Sequence, residues 1–236
     1  MDATERLHLA DWRRRVFGLY GEVRAMAVGD PAAAWEHWRR TRELLYREHA
    51  SSPLPEASRA GFVGRYFDYD PRLRFELPVL PVEDGPGEAA SAATSAAPAP
   101  GAAPARPAAP GLAALAGLLP ISTGRPLAFD RIGHLDVPLD SGVRQLTLFW
   151  LPEYAGGLFL PFRDATNGTE TYGGGRYLLD SSKGADLGGD PDAGTVVVDF
   201  NFAFQPSCAF DPRWSCPLSP PDNRLDIPIA AGERLK

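Results

Sequence analysis

The sequence predicts an α+β fold in which an N-terminal helical hairpin packs on an antiparallel β-sandwich or barrel. Three observations carry this expectation. Apolar residues recur at three- and four-residue steps along the first fifty residues, the spacing of one helix face. From about residue 119 onward, short apolar runs alternate with turn residues at close spacing, as antiparallel strands require. No helix-length apolar pattern separates those runs, which argues against a parallel βαβ sheet.

The first helix rests on Leu9, Trp12, Val16, Leu19, Tyr20 and Val23, and Gly29 closes it. Asp30-Pro31 then opens a second helix, with Asp as N-cap and Pro at the first helical position. Trp35, Trp38, Leu45 and His49 lie near one stripe of it, and Pro53 and Pro55 end it. Residues 1–55 therefore read as a helical pair. The tryptophans Trp12, Trp35 and Trp38 sit at helical spacing and read as core or as the contact between helices and sheet.

An aromatic-rich stretch follows, with Phe62, Tyr66, Phe67, Tyr69 and Phe75. Arg72 to Leu80 alternates as a strand, which Pro78 restricts to an edge or a bulge. Residues 82–117 break the pattern. An Ala/Pro-rich run with few large apolar groups buries too little surface to offset its ordering entropy, so a disordered insertion is expected. Leu112–Leu119 within it could form a short helix. Further strands are expected at Leu127–Ile132, His134–Leu139, Val143–Trp150, Leu158–Phe162, Gly175–Asp180, Thr195–Phe200 and Leu225–Ile229. Turn chemistry at Asp140-Ser-Gly, Ala155-Gly-Gly, Asn167-Gly and Gly188-Gly-Asp-Pro separates them. The antiparallel β domain is thus residues 56–81 joined to 118–236.

Composition narrows the function classes. A chain of 236 residues suits one large domain, or one domain with appendages. With 44% hydrophobic and 23% charged residues it can bury an ordinary core. A net charge of -6 lacks the basic face of a nucleic-acid binder and disfavours anionic lipid, so neither nucleic acid nor membrane is an expected partner. Only Lys183 and Lys236 among the 24 basic residues are lysines, which reads as the coding bias of a GC-rich genome. Met1 to Leu9 has no secretory pattern, and no apolar run approaches the ~20 residues of a bilayer span. A cytoplasmic location is therefore expected, with Cys208 and Cys216 reduced.

The residues that could carry chemistry crowd the C-terminal third. They lie in FRDATNGTETYGGGRYLLD (162–180), VVDFNFAF (197–204), PSCAFDPRWSC (206–216), PLSPPDNR (217–224) and Ala231-Gly-Glu233. These motifs resemble the bacterial and archaeal family known as domain of unknown function 1684. The matching residues are Phe162-Arg163-Asp164, Thr166, Gly168, Thr171-Tyr172 and Gly175-Arg176-Tyr177-Leu178. They continue with Asp199-Phe200-Asn201, Pro206, Cys208-Ala209, Ser215-Cys216-Pro217, Pro221, Asn223-Arg224-Leu225 and Ala231-Gly232-Glu233. Ser52-Pro53-Leu54 also looks like the family's N-terminal half. The chain departs from the pattern at Phe204-Gln205-Pro206, where the family has a tyrosine, and in its Ala/Pro insertion. The resemblance implies no activity and identifies no cofactor.

Each motif admits a functional and a structural reading. Arg163, Arg176 and Arg224 could gather round the glycine-rich turn with Asp164, Thr171, Tyr172, Asn201 and Asn223 to hold a small anionic metabolite, since a guanidinium fork suits carboxylate or phosphate. Equally, Arg163 and Asp164 could be a structural ion pair or turn cap. Gly173-Gly174-Gly175 implies close approach of a ligand or of a neighbouring strand to the backbone. A phosphate loop is disfavoured, because neither a lysine nor a helix signal follows. Asp164, Asp199 and Glu233 are the candidates for an acid/base enzyme of hydrolase type, if two of them share a pocket. Asp199, leaving the buried run Val196-Val197-Val198, could instead pair with Arg176 or Arg224. Cys208 and Cys216 are weak metal candidates, since eight positions do not make a zinc knuckle; they could equally be packed thiols or a redox-labile pair. A third reading has the motif residues serving only turns and salt bridges, in a structural or interaction module without a ligand.

Overall fold

The computed structural model describes residues 2–82, 116–122, 127–152 and 156–235. Helix α1 (Ala3–Ala27) starts at a capping box: the Asp2 carboxylate accepts from the Glu5 N–H, and the Glu5 carboxylate accepts from the Asp2 N–H. Helix α2 (Pro31–Glu48) starts as its sequence predicts, with the Asp30 carboxylate accepting from the Ala33 N–H at 2.9 Å. It ends at Glu48, ahead of the prolines, because His49 has already turned to extended backbone. A single turn, α3 (Glu56–Arg59), follows.

The strands are antiparallel throughout. β1 (Arg65–Tyr66) pairs with β9 (Glu233–Arg234), and β2 (Arg74–Pro78) pairs with β8 (Thr195–Asp199). The remaining strands are β3 (Ala116–Leu119), β4 (Leu127–Leu139), β5 (Gly142–Trp150), β6 (Leu158–Phe162) and β7 (Arg176–Asp180). They form one five-stranded meander in chain order, an open sheet and not a closed barrel.

Three layers result. Strand alternation sends Val196 and Val198 of β8 to one side and Val197 to the other. Val196 and Val198 join Leu77, Leu135, Leu146, Leu148, Leu160, Phe162 and Leu178 in the core between the β2–β8 pair and the large sheet. Val197 faces Leu19, Tyr20, Val23, Trp35 and Trp38 of the helical hairpin. The sheet's other face buries Leu119, Phe129, Phe149, Phe159 and Tyr177.

Three expectations change. The two strands expected on either side of Gly133 are one strand, β4, whose register shifts between Arg131 and Gly133. Residues 116–119 extend the sheet and are not helical. Leu225–Ile229 is not a strand. Pro228 has no N–H to give a ladder, and the Ile229 N–H goes to the Asp164 carboxylate at 2.7 Å. The insertion expected over 82–117 falls almost wholly outside the described residues. No helix among the described residues is long and apolar enough to cross a membrane.

Candidate functional site

The sequence-predicted residues settle into four buried networks, the first and fourth joined where Arg176 donates to the Glu233 carbonyl at 3.5 Å. The first joins Asp164 and Arg176, both side chains wholly buried and 3.1 Å apart. Asp164 also accepts from the Thr166 hydroxyl (2.8 Å) and the Ile229 N–H (2.7 Å), and Thr166 shares a hydrogen bond with the Thr171 hydroxyl. Arg176 donates to the carbonyls of Ile229 (3.0 Å) and Ala231, under the face of Phe162. Desolvation lowers its pKa, and the Asp164 charge opposes that shift. The pair thus clasps residues 229–231 from inside the protein.

Gly175 belongs to the same region, at φ +101. A Cβ there would lie 2.6 Å from the Phe162 carbonyl, so the neighbouring strand explains the glycine. Asn223 makes a second network. Its amide accepts from the Thr147 N–H (2.8 Å) and donates to the carbonyls of Thr147 (2.9 Å) and Pro161 (2.7 Å), standing in for backbone between β5 and β6. Arg163 and Arg224 meet through a parallel backbone bridge, with Arg224 exposed.

The third network surrounds Asp199, which accepts from both the backbone N–H (2.9 Å) and the side-chain amide (2.8 Å) of Asn201. Its cationic partner is Arg74 at 3.5 Å, not Arg176 or Arg224, because the β2–β8 register sets Arg74 opposite Asp199. Burial pushes the Asp199 carboxyl up despite these bonds. Asn201 in turn closes on the Asp70 backbone, its Oδ1 accepting from the Asp70 N–H and its Nδ2 donating to the Asp70 carbonyl, at 2.8 Å each.

The fourth network binds Glu233 to Arg42 at 3.0 Å and to the Gln205 N–H at 2.7 Å. Arg42 lies over Tyr46 (4.4 Å) and Phe204 (5.0 Å). Gly232 just before it has φ +77, and a Cβ there would meet the Ala203 carbonyl at 2.5 Å.

The carboxylates of Asp164, Asp199 and Glu233 therefore each have their own set of partners. Of five cavities with volumes from about 250 to 840 Å3, none is lined by any of these three, nor by Arg163, Thr171, Tyr172, Arg176, Asn201, Asn223 or Arg224. Among the described residues, no group of three or more His, Cys, Asp and Glu side chains could hold a metal ion. Cys208 and Cys216 lie together as free, buried thiols near Tyr172.

Two cavities carry concentrated polar groups beside the helices. The larger, about 840 Å3 between α1 and α2, includes His8, Asp11, Arg15, Glu22, Glu48 and His49. Both ring nitrogens of His49 are engaged. Nδ1 accepts from the Ser51 N–H at 3.0 Å, which leaves the proton on Nε2, 3.2 Å from Asp11. That ring has no lone pair for a substrate.

The second is a groove of about 560 Å3 between α2 and the β1–β9 ribbon. Arg39, Arg65 and Arg234 line it with Trp35, Tyr66, Phe67 and Tyr69, against the carboxylates of Glu36 and Asp68. Alternation along β9 buries Glu233 and leaves Arg234 in the groove. Arg65 and Arg234 are direct cross-strand partners, so both side chains project from the same face. Arg39 stacks over Trp35 (5.4 Å) and Tyr66 (5.9 Å), and Arg234 over Phe67 (4.7 Å). Glu36 pairs with Arg39 and Glu170 with Arg234, while Arg65 has no carboxylate partner among the described residues. Arg39 Nε, Arg234 Nε and the Tyr66 hydroxyl find no hydrogen-bond partner among the described residues. Burial, reinforced by the Glu233 charge, pushes the Tyr66 hydroxyl far up and keeps it protonated.

None of these groove residues stood out in the sequence except as aromatics. One signal was present: Arg39 and Arg42 follow Trp35 and Trp38 by four positions each, so both lie along the apolar stripe of α2. The β1–β9 pairing that opposes Arg65 and Arg234 leaves no local trace.

Fold and buried networks together define an α+β scaffold whose C-terminal segment is fastened by an internal ion-pair and amide clasp. Residues 116–234 match the family described as protein of unknown function (DUF1684), and the chain belongs to that family. It is similar to an uncharacterised protein from the gene locus rrnAC0354 of Haloarcula marismortui, known from a solution NMR structure. The two share 28% identity at a TM-score of 0.53, over 86% of this chain and 92% of that one. No curated protein matches.

Proposed function

We propose that the protein binds a small anionic metabolite, bearing a carboxylate or phosphate, in the groove between α2 and the β1–β9 ribbon. One observation carries the reading: Arg65 and Arg234 face each other directly across the ribbon, with Arg39 opposite them. Like charges placed opposite on a sheet repel, and an anion between them relieves that repulsion while taking up guanidinium donors. Glu36 pairs with Arg39 and Glu170 with Arg234, which leaves Arg65 as the groove guanidinium with no carboxylate partner among the described residues, in a chain whose net charge is -6. Aromatic walls restrict the arginines and offer a flat surface to the rest of the ligand.

The acid/base reading of Asp164, Asp199 and Glu233 has less support, since each is enclosed among its own partners. The same enclosure favours a scaffold role for most of the motif. Thermal-shift screening against a panel of small carboxylates and phosphate monoesters tests the proposal. Hits should raise the melting temperature of the wild-type chain, and Arg65→Ala and Arg39→Ala should abolish the rise. Shifts that persist in both variants would place the site elsewhere.

A further inference from the structure

The two thiols lie outside the anion groove, and nothing in the proposed binding uses them. Cys208 begins its contacts from a 3-10 turn, Ser207–Ala209, and Cys216 lies eight residues on. The Cys208 backbone N–H donates to the Cys216 sulfur at 3.3 Å, which holds that sulfur beside the Cys208 side chain. The Cys208 sulfur lies 3.8 Å from the Tyr172 hydroxyl. The Cys216 N–H donates to the Ser122 hydroxyl at 3.0 Å, bringing a second hydroxyl to the pair. Cys208 is 9% exposed and Cys216 is 5% exposed, so Cys208 is the less enclosed residue of the pair. Tyr172 beside it is only half-buried.

We propose that Cys208 and Cys216 form a peroxide-reactive dithiol, with Cys208 as the attacking sulfur and Cys216 as the resolving one. The Cys208 thiolate attacks one oxygen of a hydroperoxide. An S–O bond forms, the O–O bond breaks, and the leaving hydroxide or alkoxide takes a proton to become water or an alcohol. Cys216 then attacks the Cys208 sulfenic sulfur. An S–S bond forms, the S–O bond breaks, and the departing hydroxide leaves as water with the Cys216 proton. Two thiols lose two electrons in all, and the peroxide gains them.

The surroundings suit this division of labour. A hydrogen bond from the Cys216 thiol is the main cause that brings Cys208 down to about 6, against the opposing effect of burial. The Ser122 and Tyr172 hydroxyls lower it further. The same bond pushes Cys216 far up, so that it keeps its proton until Cys208 is oxidised. Tyr172 is raised to about 12 by burial and by the neighbouring Cys208 charge, so it remains a donor to the thiolate. Two inert packed cysteines would need none of these donors on one sulfur.

Intact mass spectrometry and peptide mapping after treatment with hydrogen peroxide test the proposal on the whole folded chain. The expected product has lost two hydrogens and carries a bond between Cys208 and Cys216. Cys208→Ser should be inert, and Cys216→Ser should accumulate a sulfenic acid on Cys208 that dimedone traps. Should either variant fail to fold, pH-dependent iodoacetamide labelling of the wild type gives an independent reading. Cys208 should label at lower pH than Cys216. Thiols that stay reduced under peroxide, or dimedone on Cys216 instead of Cys208, would overturn the assignment.

Discussion

The C-terminal motif region and the α2–ribbon groove use arginine in opposite ways. Arg176 lies wholly inside the protein, paired with an equally buried Asp164 and donating to the carbonyls of the C-terminal segment. Arg65 lies at the surface, opposite another arginine and without a carboxylate partner among the described residues. The first arrangement has few donors left for a ligand, only Nε being unpaired. The second has donors to spare and repulsion to relieve. Density of motif residues therefore marks where the fold is fastened, and unspent charge marks where a ligand would be held.

Mutations should separate the two regions. Arg176→Leu should be the most damaging, since it leaves the Asp164 carboxylate buried without its cation. A loss of about 3–5 kcal/mol is expected, read by urea unfolding. Equal stability to wild type would show that the clasp is not structural. Asn223→Ala should cost roughly 1–3 kcal/mol in the same measurement, because it orphans polar backbone groups of Thr147 and Pro161.

Asp199→Asn sharpens the comparison through pH. Burial raises the Asp199 carboxyl, so the folded chain holds that proton more tightly than the unfolded chain does. The associated stability is complete below the ordinary carboxylate range and is lost as pH rises through the raised folded value. Asparagine keeps the acceptor for Asn201 and carries no proton to lose. The variant should therefore gain on wild type as pH rises from ~4 to ~7, measured by melting temperature. A variant that loses ground over that range would mean that Arg74 outweighs desolvation. Arg65→Ala should have the smallest effect, leaving the melting temperature of the unliganded chain unchanged or slightly raised.

The parts of the fold that local chemistry determines were legible in the sequence. Asp30-Pro31 announces α2 because an N-cap and a proline act within one turn. Leu158–Phe162 is a strand between its predicted limits because its apolar run is bounded by turn residues. What failed depended on distant pairing. Asp199 meets Arg74, 125 positions away, and no local pattern distinguishes Arg74 from Arg176 or Arg224 as its partner. Leu225–Ile229 alternates like a strand, but its Ile229 N–H is taken by Asp164. The groove was illegible for the same reason, since its arginines come from α2, β1 and β9, and only the folded chain sets them side by side.

Binding in the groove is most directly tested by amide NMR shift mapping with inorganic phosphate and a small dicarboxylate as probes. The account predicts saturable shifts confined to residues around Arg39, Arg65, Tyr66 and Arg234, lost in Arg65→Ala. Shifts centred on Arg163 and Arg224, on the cavity between α1 and α2, or on no site at all would contradict it.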